Sequence, residues 1–312
     1  MTAADPVISV DGLTKVYGDT VAVDGATFDV RADEIFALLG PNGAGKTTAV
    51  EILECLRSPT SGSATVLGHD VTESPRAIKA RIGVVPQSFH TFDRLTVREN
   101  VALARRLYDD GSDPGAVLDR LDLTEYAGTR FGDLSGGYQR RTGIAMALVS
   151  DPDILFLDEP TTGLDPAAKR TTWAQIERLT DLGTTVVLTT HNMAEVEELA
   201  DRAALLVDGA TVAVDAVSAL VDQYGGEIKL VVETTGDDDA VETALREAAT
   251  EVYRDDVGDL VGLFEDRSRA QAAFGRLHEL DGDRSIDLTG AGMEDVFLRL
   301  AGGTVDSRGD LR

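Results

Sequence analysis

One stretch constrains this chain more than any other. Gly40-Pro41-Asn42-Gly43-Ala44-Gly45-Lys46-Thr47 fits G-x-x-x-x-G-K-[ST], the pattern of a phosphate-binding loop. The five residues before it, Ile-Phe-Ala-Leu-Leu at 35–39, are apolar and suit a strand buried in a parallel sheet. Residues 47–56 read as a helix, with Ala49, Val50, Ile52 and Leu53 available for packing. Glycines let the backbone curl so that successive N–H groups point inward at an anion, and the helix N-terminus adds partial positive charge. Lys46 is placed to reach the β- and γ-phosphates of a nucleotide, and the Thr47 hydroxyl to ligate Mg²⁺. A glycine-rich turn with a chance lysine would not bring the flanking strand and helix with it.

With 312 residues there is room for one large domain and a small one. No apolar run approaches the ~18–20 residues of a membrane helix. The opening Met-Thr-Ala-Ala-Asp-Pro lacks the basic and apolar regions of a signal peptide, so a cytoplasmic location is expected. Cys55 is the single cysteine, which excludes an intrachain disulfide; the plain reading is a packed helix residue. Acidic residues number 55 against 29 basic ones, a net charge of −26. An acidic partner-binding face is one reading of that excess. A salt-adapted surface, hydrated in concentrated salt, is the reading favoured, because the acids are spread along the whole chain. The same charge argues against binding nucleic acid, which needs a basic footprint.

Further chemistry lies along the chain. Residues 7–10 and 21–30 read as strands of an opening antiparallel sheet. Tyr17, between them, lies 23 positions before Gly40 and can return across the sheet to stack on a base, although a lone hairpin tyrosine is more often structural. After a break at 58–62, residues 63–67 and 81–85 read as short strands. The second ends at Pro86-Gln87. The Gln87 amide can reach Mg²⁺ and an attacking water; taken alone, it reads as a surface turn. Residues 88–150 change character, with helices expected at 95–108 and 114–121. Leu134-Ser135-Gly136-Gly137-Tyr138-Gln139 then precedes a helical run at 142–149. Ser135 suits an N-cap, and the paired glycines leave bare amides, a second anion site. Without a strand before it, that site is not expected to serve the 40–47 phosphate within one subunit.

Ile-Leu-Phe-Leu at 154–157 is a buried-strand run ending in Asp158-Glu159-Pro160. Carboxylates at the C-terminal edge of a parallel strand sit where open α/β sheets bind ligands. Side chains alternate along a strand, so the two acids can diverge in role: Asp158 suits a Mg²⁺ ligand, Glu159 a base orienting water. Residues 163–166 form a turn, and 167–182 a helix whose Trp173 reads as a packing residue. Residues 185–188 are another buried strand, followed by Thr189-Thr190-His191; the imidazole can hydrogen-bond a γ-phosphate, although a lone histidine there is more often structural. Residues 203–207 and 211–214 pair about Asp208-Gly209 as a hairpin.

In this order the motifs are highly specific. Across residues 6–220 the chain resembles an ATP-binding cassette (ABC) ATPase subunit, with residues 88–150 as the family's α-helical subdomain. Its Walker A loop is 40–47, its glutamine-loop residue Gln87, and its signature Leu134-Ser135-Gly136-Gly137. Its Walker B strand ends at Asp158 with Glu159 as the adjoining catalytic glutamate; Gly163-Leu164-Asp165 lies in its D-loop, and His191 is its switch histidine. Tyr138 stands where the commonest signature has glutamine. The resemblance implies a P-loop NTPase of α/β class: a RecA-like core, an antiparallel β subdomain and the helical subdomain. It implies ATP and Mg²⁺ as ligands. Lys46, Gln87, Glu159 and His191 would be catalytic, with Thr47, Gln87 and Asp158 toward the metal. Tyr17, residues 40–48 including Thr48, and Ser135, Gly136 and Gly137 would contact the nucleotide. Ser135–Gly137 would act in trans, because two cassettes of the family pair head to tail around ATP. The entry of the helical subdomain, 95–101, is the kind of surface that docks a membrane permease.

Residues 225–302 read as a small α+β domain: strands at 227–234, 260–265 and 285–288, helices at 238–249, 268–280 and 293–300. Its close, Gly292-Met293-Glu294-Asp295-Val296-Phe297-Leu298-Arg299-Leu300, is similar to that of ABC-2-type and daunorubicin-resistance-like exporter cassettes. Residues 303–312 read as a disordered tail. The expectation is therefore an exporter ATPase subunit, peripheral on the inner membrane face through a separate permease. An importer subunit is the alternative reading, and only that C-terminal segment argues against it. A soluble ABC ATPase acting on ribosomes or DNA is disfavoured by the single cassette, by the 94 positions from Gly40 to Leu134, which leave no room for a long coiled coil, and by the acidic surface. A regulatory module without catalysis would be expected to lack Glu159 or His191.

Overall fold

The computed structural model describes residues 6–108, 110–225, 228–234, 238–265, 267–280 and 285–303. The tail at 304–312 and residue 227, expected to open a strand, lie outside them. The chain divides into two compact units, Met1–Val214 and Asp215–Arg312.

In the first unit the strands are β1 (Ile8–Tyr17), β2 (Thr20–Val30), β3 (Ile35–Leu39), β4 (Ser61–Val66), β5 (His69–Asp70), β6 (Ile82–Val85), β7 (Ile154–Asp158), β8 (Thr185–Thr190), β9 (Arg202–Val207) and β10 (Ala210–Ala216). The helices are α1 (Lys46–Leu53), α2 (Pro75–Lys79), α3 (Val97–Arg105), α4 (Pro114–Arg120), α5 (Gly136–Leu148), α6 (Pro166–Asp181) and α7 (Met193–Leu199). One sheet, of order β10-β9-β3-β8-β7-β6, carries the site; β3 is parallel to β8 and β9, and β7 to β8 and β6. Every residue of β3 is buried, as its unbroken apolar run requires. The second sheet, β2-β1-β4-β5, is antiparallel. The two sheets share one core, in which the rings of Phe28 and Phe36 stack with centroids 5.6 Å apart. Each such side chain contributes roughly 1.5–3 kcal/mol by leaving water.

Several boundaries differ from the sequence reading. Residues 14–17, expected between strands, complete β1, because the turn at Gly18 is tight enough for Tyr17 to pair with Thr20. Helix α1 stops at Leu53, and Cys55 lies beyond it at φ 57°, packed on the core as a helix-terminating residue rather than a helical one. Helix α3 begins at Val97, where Thr96 and Glu99 form a capping box. Helix α5 starts six residues earlier than expected, at Gly136, with the glycines inside its first turn. Trp173, read as packing, also donates its indole N–H to the buried Glu195 carboxylate at 3.0 Å. Between residues 88 and 150 the described residues hold α3, α4, α5 and two short 3₁₀ turns, and no strand.

The second unit runs α8 (Val217–Leu220), β11 (Ile228–Val232), α9 (Asp239–Ala248), β12 (Glu251–Arg254), β13 (Leu260–Phe264), α10 (Arg267–Leu280), β14 (Ile286–Thr289) and α11 (Met293–Ala301). Strand β12 is absent from the sequence reading; its four residues are too few to show an alternation. The unit begins at Asp215 rather than near 225 because α8 packs against α11. The sheet order β12-β13-β11-β14, all antiparallel, is that of a split-βαβ, ferredoxin-like domain. Helices α9 and α10 fill one face with Val241, Leu245, Ala273 and Leu277. Helix α11 is tied to the sheet by Asp295, which accepts the Tyr253 hydroxyl and lies 3.5 Å from the Lys229 ammonium.

Candidate active site

Close backbone approach explains two of the loop's three glycines. Gly45 has φ 93°, and a Cβ there would lie 2.2 Å from the Ala22 carbonyl oxygen; one on Gly40 would lie 2.3 Å from that of Leu206. Lys46 opens α1 and is buried. Its ammonium donates to the carbonyls of Gly40 (2.6 Å) and Pro41 (3.0 Å) and stands 3.9 Å from Glu159 Oε1. Burial lowers its pKa against the pull of Glu159 and Asp158.

The two acids diverge, as alternation along a strand requires. Asp158, the last residue of β7, accepts the Thr189 hydroxyl and lies with Oδ1 3.5 Å from Thr47 Oγ1. Glu159 leaves the strand at φ 47°, a left-handed conformation that costs a non-glycine residue about 1–3 kcal/mol. Its N–H is held by the Thr189 carbonyl (3.1 Å) and hydroxyl (3.2 Å), so the neighbouring strand fixes the turn. Its carboxylate is 7 % exposed, accepts the Thr162 hydroxyl at 2.8 Å, and meets His191 Nδ1 at 2.9–3.0 Å. Burial alone would raise its pKa. The bonds from His191 and Thr162 and the charges of His191 and Lys46 outweigh burial and hold the carboxyl below its ordinary value.

A cavity of about 350 Å³ opens over the loop, lined by Tyr17, Ala22, residues 42–48, Gln87 and Glu159. It gathers Tyr17, Asn42, Gly43, Ala44, Gly45, Lys46, Thr47, Thr48, Gln87 and Glu159 from the sequence reading. Gly40 and Pro41 lie beneath it, Asp158 reaches it beside Thr47, and His191 through Glu159. Tyr17 is 40 % exposed, with the Lys15 ammonium 5.0 Å from its ring centre. Thr47 and Asp158 offer hard oxygens that suit Mg²⁺, which keeps phosphate and water oxygens as its other ligands. Among the described residues no three His, Cys, Asp or Glu side chains cluster as a cage for a softer metal.

Ser135, Gly136 and Gly137 do not line this cavity. Gly136 lines a smaller hollow of about 210 Å³, shared with Gln87, Arg140, Glu159 and Leu164. Ser135 stands at the N-cap of α5 as expected, yet its side chain makes no capping bond. Tyr138 is accounted for by packing: its ring lies 3.9 Å from that of Tyr126, and the Arg141 guanidinium covers it at 4.1 Å.

Arg140 is a residue that sequence reasoning missed. It projects from α5, 7 % exposed, and donates to the carbonyls of Pro86 (2.7 Å) and Asp158 (2.6 Å). One guanidinium thereby ties the residue before Gln87 to the residue before Glu159. Burial pushes its pKa down to about 10, against the attraction of Asp158, Glu195 and Glu159. The available signal was an arginine pair, 140–141, just ahead of the apolar run at 143–149.

The sequence profile described as ABC transporter matches residues 23–162. Nod factor export ATP-binding protein I of Paraburkholderia xenovorans is 38 % identical over 305 residues, covering 96 % of this chain and 98 % of that protein. The chain belongs to the ABC transporter family. The daunorubicin/doxorubicin resistance ATP-binding protein DrrA of Streptomyces peucetius is 36 % identical over 319 residues, covering 96 % of this ABC ATPase and 94 % of DrrA. A solved ABC cassette, a post-hydrolysis dimer bound to ADP and Pi, matches with TM-score 0.60 and 28 % identity, covering 67 % of this chain and 98 % of that one. This protein is thus an ATP-binding, ATP-hydrolysing ABC subunit, homologous along its length to exporter ATPases. No helix among its described residues is long and apolar enough to cross a membrane.

Proposed function

We propose that this ABC ATPase powers export through a separate membrane permease, as a homodimer that clamps ATP between residues 40–48 of one copy and Ser135, Gly136 and Gly137 of the other. The observation that carries the reading is Glu159: a buried carboxylate in a strained backbone conformation, gripped by His191 at the edge of the loop cavity, while Ser135 and Gly137 lie outside that cavity. Tyr17 would stack on the base. The loop amides and Lys46 would hold the phosphates, Lys46 exchanging its loop carbonyls for phosphate oxygens. Thr47, Asp158 and Gln87 would hold Mg²⁺, which neutralises charge developing on the phosphates when bound. Glu159, kept ionised, would accept the proton of the attacking water. His191, bonded to Glu159 through Nδ1, keeps its other ring nitrogen for the γ-phosphate.

With its motor in a chain that has no membrane helix among its described residues, the subunit would sit peripherally on the inner face of the membrane. No cysteine pairing enters the assembly. The diffuse acidic excess supports a surface adapted to high salt, and loss of fold at low ionic strength would bear this out. The test is co-purification of the tagged full chain from its native membranes. A polytopic subunit that stays bound and raises ATP turnover is expected. ATP turnover indifferent to any membrane protein would contradict the proposal.

A further inference from the structure

The signature turn opens α5 with little of its own to hold it. Ser135 makes no capping bond, and Gly136 and Gly137 have no side chains to anchor the backbone, which in glycine has the most freedom to lose. The fixing comes from the next residue, Tyr138, which stands where the commonest signature has glutamine. Its ring centre lies 3.9 Å from that of Tyr126, with the planes 37° apart, and the Arg141 guanidinium sits 4.1 Å from it. Tyr126 closes the 3₁₀ turn Thr124–Tyr126, ahead of the signature. Arg141 follows nearly one turn along α5 and is 8 % exposed. The stack thus joins the first turn of α5 to a segment outside the helix. Two hydrogen bonds brace the same turn: the Gln139 amide donates to the Phe131 carbonyl at 3.2 Å, and the Thr142 hydroxyl to the Tyr138 carbonyl at 2.8 Å. A glutamine at 138 would offer no ring to either neighbour.

We infer that Tyr138 is a positioning residue for the composite ATP site: stacked on Tyr126 and covered by Arg141, it holds the amides of Gly136 and Gly137 toward the partner's nucleotide without touching that nucleotide itself. The inference rests on the head-to-tail reading above and adds what keeps the second half of the site in place. Amides already fixed in direction need no ordering when the two copies close on ATP, so the entropy of the glycine turn is lost on folding and not on dimerisation. The close contacts of the Tyr138 ring are with its own chain, which is why the residue acts through the turn.

The experiment follows ATP-induced dimerisation of the full chain carrying Glu159→Gln, by sedimentation over a range of protein concentrations, beside ATP binding by the monomer and urea midpoints. Tyr138→Gln, although it restores the commonest signature residue, should weaken dimerisation by about three- to tenfold for each of the two composite sites, the worth of one aromatic pair. Tyr126→Leu should do the same, and the two changes together should be no worse than either alone. Tyr138→Phe, which keeps the ring, should stay close to wild type. ATP binding by the monomer should be retained throughout, which also shows that each variant has folded. A direct contact with the nucleotide reverses this order: Tyr138→Gln dimerises like wild type, Tyr138→Phe weakens and Tyr126→Leu is silent, and the inference fails while the head-to-tail reading stands. Lower urea midpoints with dimerisation intact would also overturn it, leaving the stack a purely structural role. If the Glu159→Gln chain with Tyr138 in place does not dimerise on ATP, the head-to-tail reading fails and the inference with it.

Discussion

Replacing Arg140 by methionine separates stability from catalysis in a way the geometry makes quantitative. The change removes a buried charge and two hydrogen bonds, to the carbonyls of Pro86 and Asp158. Burial pushes the arginine from its ordinary value down to about 10, which stands for roughly 3 kcal/mol against its charged form. Relief of that cost favours the variant. Against it, two carbonyls lose their partner, at ~1–3 kcal/mol each. The contributions oppose each other, so stability should shift by no more than ~2–3 kcal/mol, in line with other exchanges of buried ions for apolar groups. Catalysis has no such cancellation. Pro86 leads into Gln87 and Asp158 into Glu159, and the guanidinium is their shared tether. A displacement of about 1 Å at reacting groups costs on the order of a hundredfold in rate, and kcat should fall by that order. Arg140→Lys, which can serve one carbonyl at best, should fall between. The assays are steady-state ATP hydrolysis at saturating ATP and urea unfolding. A methionine variant that stays folded with a kcat close to wild type would refute the tether.

Glu159→Gln should keep ATP binding, lose ~10²–10⁴-fold in hydrolysis and accumulate as an ATP-bound dimer on size-exclusion chromatography in high salt; rapid turnover would remove Glu159 from its role as base. Glu54 gives a pH signature. Burial raises its folded-state pKa from 4.5 to about 8, so its contribution to stability is complete below about 4.5 and is lost as pH climbs through about 8. Glu54→Gln should therefore gain on wild type between pH 5 and 9 by ~2–4 kcal/mol, the upper end being the whole shift less some access to water through the groove it lines beside β6, α3 and α5. Parallel urea midpoints across that range would show that Glu54 finds a partner in the free subunit.

What the sequence disclosed follows from where the determinants are local. The loop, the strand before it and the acids at the end of β7 each depend on a run of a few residues, and each lies where the pattern put it. The strand β3 was legible because a strand buried on both faces has no alternation to obscure. Glu159 was named as the base from position alone, but its left-handed turn was not, because the hydrogen bonds that enforce it come from Thr189, thirty residues on. Arg140 stood out only as half of an arginine pair, and its role as a tether was hidden for the same reason: its partners are backbone carbonyls, which carry no sequence signal. Strand β12 was too short to declare itself, and the groove around Glu54 exists only where β6, α3 and α5 converge.

The central claim is that residues 40–48 are half of an ATP site and that Ser135 of a second copy completes it. Mixing two inactive variants tests this directly. Lys46→Ala disables the loop and keeps the signature; Ser135→Arg does the reverse, while still binding ATP as a monomer. In a mixed head-to-tail dimer one of the two composite sites has both halves intact. A 1:1 mixture should recover up to about a quarter of wild-type hydrolysis, since half the dimers are mixed and each has one sound site. A mixture as inactive as its components would mean that loop and signature serve one site within a single chain, and would contradict the account.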